Sequence, residues 1–181
     1  MAAPELMPHF TYKEYQQWED SWELIDGIPY ATAPAPYPKH QKIVAHIWRE
    51  LDKNLNCIFK NVCEVYISPI DWKVNDTTVV QPDVALFCEK TEKQYFSKTP
   101  LLIVEVLSMA TALKDTTTKF DLYEREGVPT YIIIDPDKEK AEIFELYEGK
   151  YRRVQKIEHE GIYRFAHKEC ETEVDFQKVL G

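Results

Sequence analysis

The sequence lacks any long apolar run, and its N-terminus has neither a basic start nor an apolar segment behind one. A membrane helix needs about 20 apolar residues, and a secretory signal needs an apolar core after a positive start. We therefore expect a cytoplasmic protein with no membrane contact. The sequence also lacks internal repeats, low-complexity tracts and linkers, so we expect residues 1–181 to fold as a single domain.

Metal-binding spacing is absent from the four cysteines, which are Cys57, Cys63, Cys88 and Cys170. They form no Cys-x-x-Cys pair and have no histidine pair at ligand distance, the patterns that indicate zinc sites. Disulfides are rare in a reducing cytosol. The sequence therefore favours four free thiols over a zinc site or disulfide bonds.

Positive charge is scarce, with 22 Lys and Arg against 31 Asp and Glu, a formal net charge of −9 and a pI of about 5.1. Such a chain repels nucleic acid as a whole, so any DNA contact would need a local basic surface or a divalent metal. The apolar fraction of 44% and the charged fraction of 29% are ordinary for a folded soluble protein and argue against disorder.

The stretch from Leu101 to Leu107 is apolar except for Glu105. Its length and valine content, with Pro100 before it, indicate a strand that is buried on both faces. A carboxylate in such a strand is costly to desolvate unless a cation or hydrogen-bond donors meet it. We therefore expect the rest of the chain to supply Glu105 with partners.

Helical patterns occur at Phe10–Trp18, at Lys39–Asn56 and at Lys114–Glu126. In the second of these, the apolar residues form one stripe, and His40 lies on that stripe and is expected to point inward. The tail after residue 158 has no clear pattern. Strand-like runs occur at 22–25, 28–33, 63–74, 79–87, 101–107, 131–134, 141–148 and 151–158.

Without its terminal additions the order of elements is helix, three strands, helix, strand. This αβββαβ order over about 38–136 predicts an α/β (α+β) protein with a mixed sheet flanked by helices. An N-terminal hairpin turns at Asp26-Gly27, and a C-terminal β-hairpin turns at Gly149. The proline-containing segment 34–38 is expected to be an extended connector.

Asp83 follows Pro82, which cannot donate to a strand ladder, so the strand 79–87 is bulged or at an edge there. Asp83 and Glu105 lie on successive predicted strands. Two neighbouring carboxylates repel each other, and a divalent cation between them removes the conflict. We favour such a metal site; the alternative has Asp83 in a turn and Glu105 paired with a Lys or Arg.

The helix after Glu105 carries Asp115, Lys119 and Tyr123 on one stripe. An exposed Asp–Lys pair would be an ordinary surface feature. Because the helix begins shortly after Glu105, it could instead place Lys119 over the acidic residues, and we favour that arrangement.

Taken together, these stretches resemble the PD-(D/E)XK nuclease superfamily, and more closely its Uma-type bacterial family of restriction-endonuclease-like proteins. The resemblance covers nearly the whole chain up to about Pro136. The matching residues are Trp22 to Gly27, His40-Gln41, Gln81 to Val84, Ile103 to Ser108, Asp115, Lys119, Tyr123, Gly127-Val128, Tyr131 and Asp135-Pro136.

The resemblance implies a restriction-endonuclease-like fold, a divalent metal (Mg²⁺ or Mn²⁺), DNA as the partner and a homodimer. It implies that Asp83 and Glu105 hold the metal and that Lys119 is the catalytic lysine. The superfamily lysine expected two residues after Glu105 is replaced by Leu107, and the resemblance implies that Lys119 has taken over its role. Glu23, His40, Asp115 and Tyr123 are candidates for residues that support the site from outside the metal ligands. For His40, a buried histidine of the core is at least as good an interpretation.

The densest basic segment contains Lys150, Arg152, Arg153 and Lys156, interleaved with Tyr147 and Tyr151. These residues are candidates for nucleic-acid contact. Charged strands at a sheet edge also prevent edge-to-edge pairing, and we favour that reading because the net charge gives weak attraction to DNA.

Three functions follow from these observations. The leading hypothesis is a metal-dependent endonuclease-like phosphodiesterase acting on DNA. The alternative is a catalytically inactive dimeric interaction module that retains the nuclease fold. The third is hydrolysis of a small phosphorylated molecule, for which an acidic surface is no handicap.

Overall fold

The structure is a computed structural model that describes residues 8–19, 21–32, 37–58, 62–108 and 112–181. Within these ranges no helix is both long and apolar enough to cross a bilayer.

The described residues contain five helices and fourteen strands. The helices are α1 (Tyr12–Tyr15), α2 (Pro38–Asn54), α3 (Ala112–Thr116), α4 (Thr118–Arg125) and α5 (Phe176–Leu180). The strands are β1 (Trp22–Ile25), β2 (Ile28–Ala31), β3 (Asn56–Cys57), β4 (Cys63–Ile67), β5 (Asp71–Asn75), β6 (Thr78–Val80), β7 (Val84–Cys88), β8 (Tyr95–Phe96), β9 (Leu102–Val106), β10 (Thr130–Asp135), β11 (Lys140–Tyr147), β12 (Lys150–Glu158), β13 (Ile162–His167) and β14 (Cys170–Asp175).

A six-stranded mixed sheet forms the centre, with the strand order β12-β11-β10-β9-β7-β4. Strand β9 pairs parallel with β10 and antiparallel with β7. Alternate residues of β9 face different cores. Leu102, Val104 and Val106 face the core that contains the α2 stripe, whereas Ile103 faces a second core. Because side chains alternate along a strand, Glu105 points to the side of Ile103.

That second core lies between the six-stranded sheet, helix α4 and a five-stranded sheet of order β2-β1-β6-β5-β8. The α4 residues Leu122 and Tyr123 and the β5 residue Trp72 contribute to it. Glu105 is therefore directed into the junction of these three units. The remaining three-stranded sheet has the order β13-β14-β3 and packs against α2, where Thr172 donates to the Leu51 carbonyl at 2.8 Å.

The amphipathic reading of the long helix is confirmed. The inward face of α2 buries Ile43, Val44, Ile47 and Leu51, and His40 is 9% exposed on the same face. The N-terminal hairpin at Asp26-Gly27 and the hairpin at Gly149 are also confirmed as β1–β2 and β11–β12. Residues 34–36 of the predicted connector lie outside the described residues, and Pro38 already belongs to α2.

Two segments that were each predicted to be one continuous strand are interrupted in the structure, so these predictions were wrong. The run 63–74 is two strands, β4 and β5, which belong to different sheets. The run 79–87 is likewise divided into β6 and β7. Each break contains a proline, Pro69 or Pro82, which has no N–H for a ladder. The chain thereby passes from one sheet to the other at these two places.

The helix predicted over 114–126 is divided at Thr117 into α3 and α4. The polar segment 89–99, between the predicted strands 79–87 and 101–107, contains the short strand β8, and the tail without a clear pattern forms β13, β14 and α5. Short strands such as β8 have too few residues to show a period.

The prediction of four free thiols was wrong. The structure pairs Cys57 with Cys170 and Cys63 with Cys88, and no free cysteine remains. Both pairs are directly opposed residues on antiparallel strands, β3–β14 and β4–β7. Such partners are separated in the sequence by 113 and 25 residues, so local spacing carries no sign of them.

Candidate active site

Asp83 and Glu105 meet at the end of the β7–β9 ladder. In this antiparallel pair Val84 lies opposite Val104. The next residues in the same direction, Asp83 before β7 and Glu105 on β9, therefore lie opposite each other. The Val106 backbone N–H donates to Asp83 Oδ2 at 2.8 Å, which holds the Asp83 side chain beside β9. The break between β6 and β7 at Pro82 therefore positions Asp83 next to Glu105 on the neighbouring strand.

Lys119 lies between Glu105 and Glu23. Its Nζ is 2.7 Å from Glu105 Oε1 and 2.7 Å from Glu23 Oε1. The Tyr123 hydroxyl, one turn further along α4, donates to Glu105 Oε1 at 2.7 Å. The i, i+4 spacing of Lys119 and Tyr123 thus presents an ammonium and a hydroxyl to the same carboxylate oxygen. Lys119 is 2% exposed.

Glu23 reaches the cluster from β1. Leu24 pairs with Val79 of β6, which brings Glu23 next to the end of β6. There the Gln81 backbone N–H donates to Glu23 Oε1 at 2.8 Å. Lys114 of α3 contacts the other oxygen, Oε2. Glu23 is therefore a buried bridge between the two lysines of α3 and α4.

Asp115 is 2% exposed and belongs to the same cluster. Its Oδ1 lies 3.9 Å from Lys119 Nζ. The Tyr131 hydroxyl of β10 donates to the Asp115 backbone carbonyl at 2.9 Å, which attaches α3 to the central sheet.

His40 contacts Asp83 from the first turn of α2. The distance from His40 Nε2 to Asp83 Oδ2 is 3.3 Å, and the Asp83 side chain is 20% exposed. Asp83 is thus the carboxylate of the pair that meets solvent, while Glu105 is 3% exposed. Although burial disfavours the imidazolium, the hydrogen bond and charge of Asp83 hold the pKa of His40 above its ordinary value.

Negative charge exceeds positive charge in this cluster. Burial raises the pKa of Glu105 well above its usual range; the charge of Lys119 opposes this rise, and the charges of Asp115, Asp83 and Glu23 add to it. Burial would lower the pKa of Lys119, but the carboxylates of Glu105, Glu23 and Asp115 hold it well above its usual range. At Glu23 the nearby Lys119 and Lys114 overcome burial and lower the pKa.

The donor set fits a hard divalent cation. Asp83, directly before β7, and Glu105, on the neighbouring β9, offer carboxylate oxygens, and oxygen ligands are what Mg²⁺ and Mn²⁺ prefer. Because burial raises the pKa of Glu105, a cation next to this residue would favour the ionised form of its carboxyl group. Asp83 and Glu105 are therefore the residues that would hold such an ion.

Comparison with known proteins identifies the family. The profile of Uma2, described as a putative restriction endonuclease, matches residues 12–163. The chain belongs to the Uma2 family. It is 26% identical over 156 residues to the uncharacterized protein slr1290 of Synechocystis sp., covering 79% of this chain and 76% of that protein.

A solved structure shares the fold. A putative nuclease belonging to DUF820 from Anabaena variabilis superposes with a TM-score of 0.72 at 15% identity, covering 94% of this chain and 97% of the other. The predicted restriction-endonuclease-like fold and the predicted family are thereby confirmed.

Two residues after Glu105, where the superfamily has a lysine, this Uma2 chain has the apolar residue Leu107. Leu107 extends the ladder, with its N–H donating to the Ile134 carbonyl at 2.8 Å, and packs against the second core. The lysine that touches Glu105 comes from α4 instead. The predicted proximity of Lys119 to Glu105 is thus observed, while its catalytic role stays a prediction.

The structural alternative weighed from the sequence also has observations in its favour. Asp83 lies in a bend between two strands, and Glu105 is paired with a lysine. Those contacts alone would describe a buried ion pair. The arrangement differs from a simple buried ion pair in that four carboxylates, those of Glu105, Glu23, Asp115 and Asp83, lie around the two lysines of the cluster.

The basic segment lies on the edge strand β12, three strands from β9, or about 14 Å at the usual strand spacing. Each of its four cations has a carboxylate partner. These pairs are Lys150–Glu124 at 2.6 Å, Arg152–Glu148 at 4.0 Å, Arg153–Glu142 at 2.6 Å and Lys156–Glu158 at 2.5 Å.

The interleaved tyrosines differ in their exposure. The Tyr151 hydroxyl donates to the Val128 carbonyl at 2.9 Å, and its ring packs on Phe120, so it is not presented for base stacking. Tyr147 is 52% exposed and lies against Arg152. This arrangement favours the edge-protection reading of β12, and nucleic-acid contact there stays a prediction.

Sequence reasoning missed Lys114 and the depth of Glu23 in the cluster. Glu23 carries a signal that could have been used, because it is a carboxylate inside the apolar run of β1, as Glu105 is inside β9. Lys114 has no such signal in the sequence, because its partner Glu23 is brought next to it by the pairing of β1 with β6.

Proposed function

We propose that this Uma2 protein is a magnesium-dependent, endonuclease-like phosphodiesterase that hydrolyses DNA. The observation that carries the proposal is that Asp83, directly before β7, lies beside Glu105 of β9, with the Lys119 ammonium 2.7 Å from Glu105. Two carboxylates and a lysine at one point are the groups that metal-assisted cleavage of a phosphodiester requires.

The carboxylates of Asp83 and Glu105 bind Mg²⁺ or Mn²⁺ in this proposal. Such an ion, when bound, activates water and neutralises charge on a phosphate. Lys119 orients the attacking water through a hydrogen bond and stabilises the negative charge that develops on the phosphate oxygens. Glu23 and Tyr123 restrict the positions of Lys119 and Glu105, and this preorganisation reduces the reorganisation needed during reaction.

His40 is assigned a positioning role. Its contact with Asp83 Oδ2 and the Val106 N–H at the same oxygen fix one oxygen of that carboxylate. The ligand that meets solvent is thereby oriented before any ion arrives.

DNA is the proposed substrate because the family is described as a putative restriction endonuclease, and the solved DUF820 protein that shares the fold is described as a putative nuclease. The net charge of −9 makes the metal part of substrate attraction. The proposal includes a homodimer, as the family resemblance implies, and places the protein in the cytoplasm.

The direct test is cleavage of supercoiled and linear DNA with Mg²⁺ or Mn²⁺. Wild type is expected to cleave, whereas Asp83→Asn and Glu105→Gln are expected to be inactive while remaining folded by circular dichroism. Glu92→Gln, an exposed carboxylate of the 89–99 loop, is the matched control and should keep activity. Cleavage that persists in Glu105→Gln would refute the assignment.

A second candidate is the catalytically inactive dimeric interaction module. The pairing of Glu105 by a protein cation, Lys119, favours it. It predicts a folded dimer with neither metal affinity nor activity. A third outcome, cleavage of small phosphodiesters without cleavage of DNA, would instead assign a small phosphorylated substrate to the same residues.

A further inference from the structure

All four cysteines converge on one place although they come from four strands. Cys57 of β3 is opposite Cys170 of β14, and Cys63 of β4 is opposite Cys88 of β7. The sulfurs of Cys57, Cys63 and Cys170 lie within 4.8 Å of one another. Cys88 Sγ is 3.9 Å from Cys170 Sγ. The two bonded pairs therefore form a single cluster of four sulfurs.

This cluster joins two sheets. Strand β4 is the edge of the six-stranded sheet, and β3 is the edge of the three-stranded sheet. Cys57, Cys63 and Cys170 are at most 5% exposed and belong to the α2 core, against which the partly buried Cys88 packs. Two independent cross-strand disulfides, each within its own sheet, would have no need to touch each other. Their contact requires a different explanation.

We propose that in the reduced protein these four thiols form a Cys₄ site for Zn²⁺, and that the pair of disulfides is the oxidised form of the same site. A tetrahedral zinc site has Zn–S distances of about 2.3 Å, which place its sulfurs about 3.8 Å apart. The separation of 3.9 Å between Cys88 and Cys170 already matches that edge. Side-chain rotation after reduction would bring the bonded sulfurs to the same spacing.

The conversion between the two forms balances with a dithiol as reductant. Two dithiols transfer four electrons and four protons to the two disulfides, giving four cysteine thiols and two oxidised dithiols. Binding of one Zn²⁺ then releases four protons as four Zn–S bonds form. Two equivalents of a small-molecule disulfide reverse the reaction by thiol–disulfide exchange: they take up four electrons from the thiolates and four protons from solvent, are reduced to thiols, and the two protein disulfides reform as the ion is released.

The site is chemically separate from the acidic one. Thiolates select soft or borderline ions such as Zn²⁺, whereas the carboxylates of Asp83 and Glu105 select hard ions such as Mg²⁺. The zinc would fix the C-terminal β13–β14 hairpin to the edge of the central sheet. Its role is structural, and it does not depend on the proposed nuclease function.

The test uses the full chain reduced with a phosphine in the absence of oxygen and then freed of reductant. Titration with Co²⁺ should give one ion per chain with the intense visible absorption of a tetrahedral thiolate site, displaced by Zn²⁺. Cys88→Ser, which removes the most accessible ligand, should weaken Co²⁺ binding at least about tenfold. Glu105→Gln should leave the spectrum unchanged.

A second measurement on wild type covers the case in which Cys88→Ser does not fold. An organomercurial added to the zinc form should release one Zn²⁺ as four thiols react. The proposal is overturned if reduced wild type gives no thiolate–Co²⁺ absorption, if the thiols react without releasing zinc, or if the reduced chain fails to fold with Zn²⁺ present.

Discussion

At the scale of single residues, Glu105 combines two properties that conflict in a protein built for stability alone. It lies in a strand whose other four residues are buried and apolar, and burial, with a further contribution from three carboxylates, raises its pKa. Replacing such a group by an apolar or neutral residue would relieve the repulsion. A carboxylate kept in this position is typical of a site where charge is needed for binding.

The first prediction concerns stability. A carboxyl pKa raised by folding means that the folded chain binds more protons than the unfolded chain between the two pKa values. The contribution of Glu105 to the free energy of unfolding therefore decreases as the pH rises from the ordinary carboxyl pKa through the raised pKa. At neutral pH and without metal, Glu105→Gln should have a higher Tm than wild type, and the difference should shrink at low pH.

Thermal unfolding monitored by circular dichroism between mildly acidic and neutral pH would check this. A structural ion pair predicts the opposite sign, because removal of one partner of a buried pair typically costs about 3–5 kcal/mol. Destabilisation of that size in Glu105→Gln would support the inactive module over the metal site.

The second prediction concerns Lys119. Its ammonium faces Glu105, Glu23 and Asp115, so Lys119→Met leaves buried carboxylates without their main cation. We expect a loss of about 3–5 kcal/mol in the free energy of unfolding, measured in urea. Lys150→Met, at a lysine with a 78% exposed side chain, is the control and should unfold like wild type. Equal stability of the two variants would contradict the central position given to Lys119.

The residues of the site were predictable to different degrees. Glu105 and His40 could be located because each is a polar residue on an apolar pattern. Asp83 and Lys119 followed from topology and family resemblance. Lys114 and the cysteine cluster could not be found, since their partners are set by strand pairings that no local pattern records.

At the scale of elements, the two proline breaks build the site. Pro82 ends β6 and releases Asp83 to lie beside β9, while Gln81 before it donates its N–H to Glu23. A continuous strand over 79–87 would have kept Asp83 within one sheet. The periods of α2, β9, β10 and the β11–β12 hairpin were predicted correctly because these elements are long or uniformly buried. The breaks could not be, since proline marks a bulge, an edge or an end equally well.

The third prediction concerns β12. Its cations are paired with carboxylates and lie on the edge strand. The double variant Arg152→Gln/Lys156→Gln should therefore bind DNA within about twofold of wild type, since removing a cation that neutralises a phosphate would change the affinity and its salt dependence more than that. Fluorescence anisotropy with a labelled duplex would measure it. A large decrease in affinity with a smaller salt slope would instead place DNA on β12.

At the scale of the whole molecule, the candidate site depends on assembly of the fold. Glu23 comes from β1, Glu105 from β9 and Lys119 from α4, so the site forms where the two large sheets and the helices meet. The family and fold could be predicted from the order of motifs, and the comparisons confirm both. The second sheet and its share in the site could not, because they depend on pairing of β1 with β6.

The fourth prediction follows from the net charge of −9. DNA binding should be weak in a chelator and stronger with Mg²⁺, because the ion would supply the positive charge that the chain lacks. Anisotropy with a phosphorothioate duplex, which resists cleavage, would measure this. Affinity that is equal with and without the ion would contradict it. Light scattering on the same samples tests the predicted homodimer.

Isothermal titration of Mg²⁺ and Mn²⁺ into wild type and Glu105→Gln would decide whether the acidic cluster is a metal site. We expect both ions to bind wild type and neither to bind the variant, with both proteins folded. Absence of binding to folded wild type, or equal binding by the variant, would contradict the assignment of Asp83 and Glu105 as a metal site.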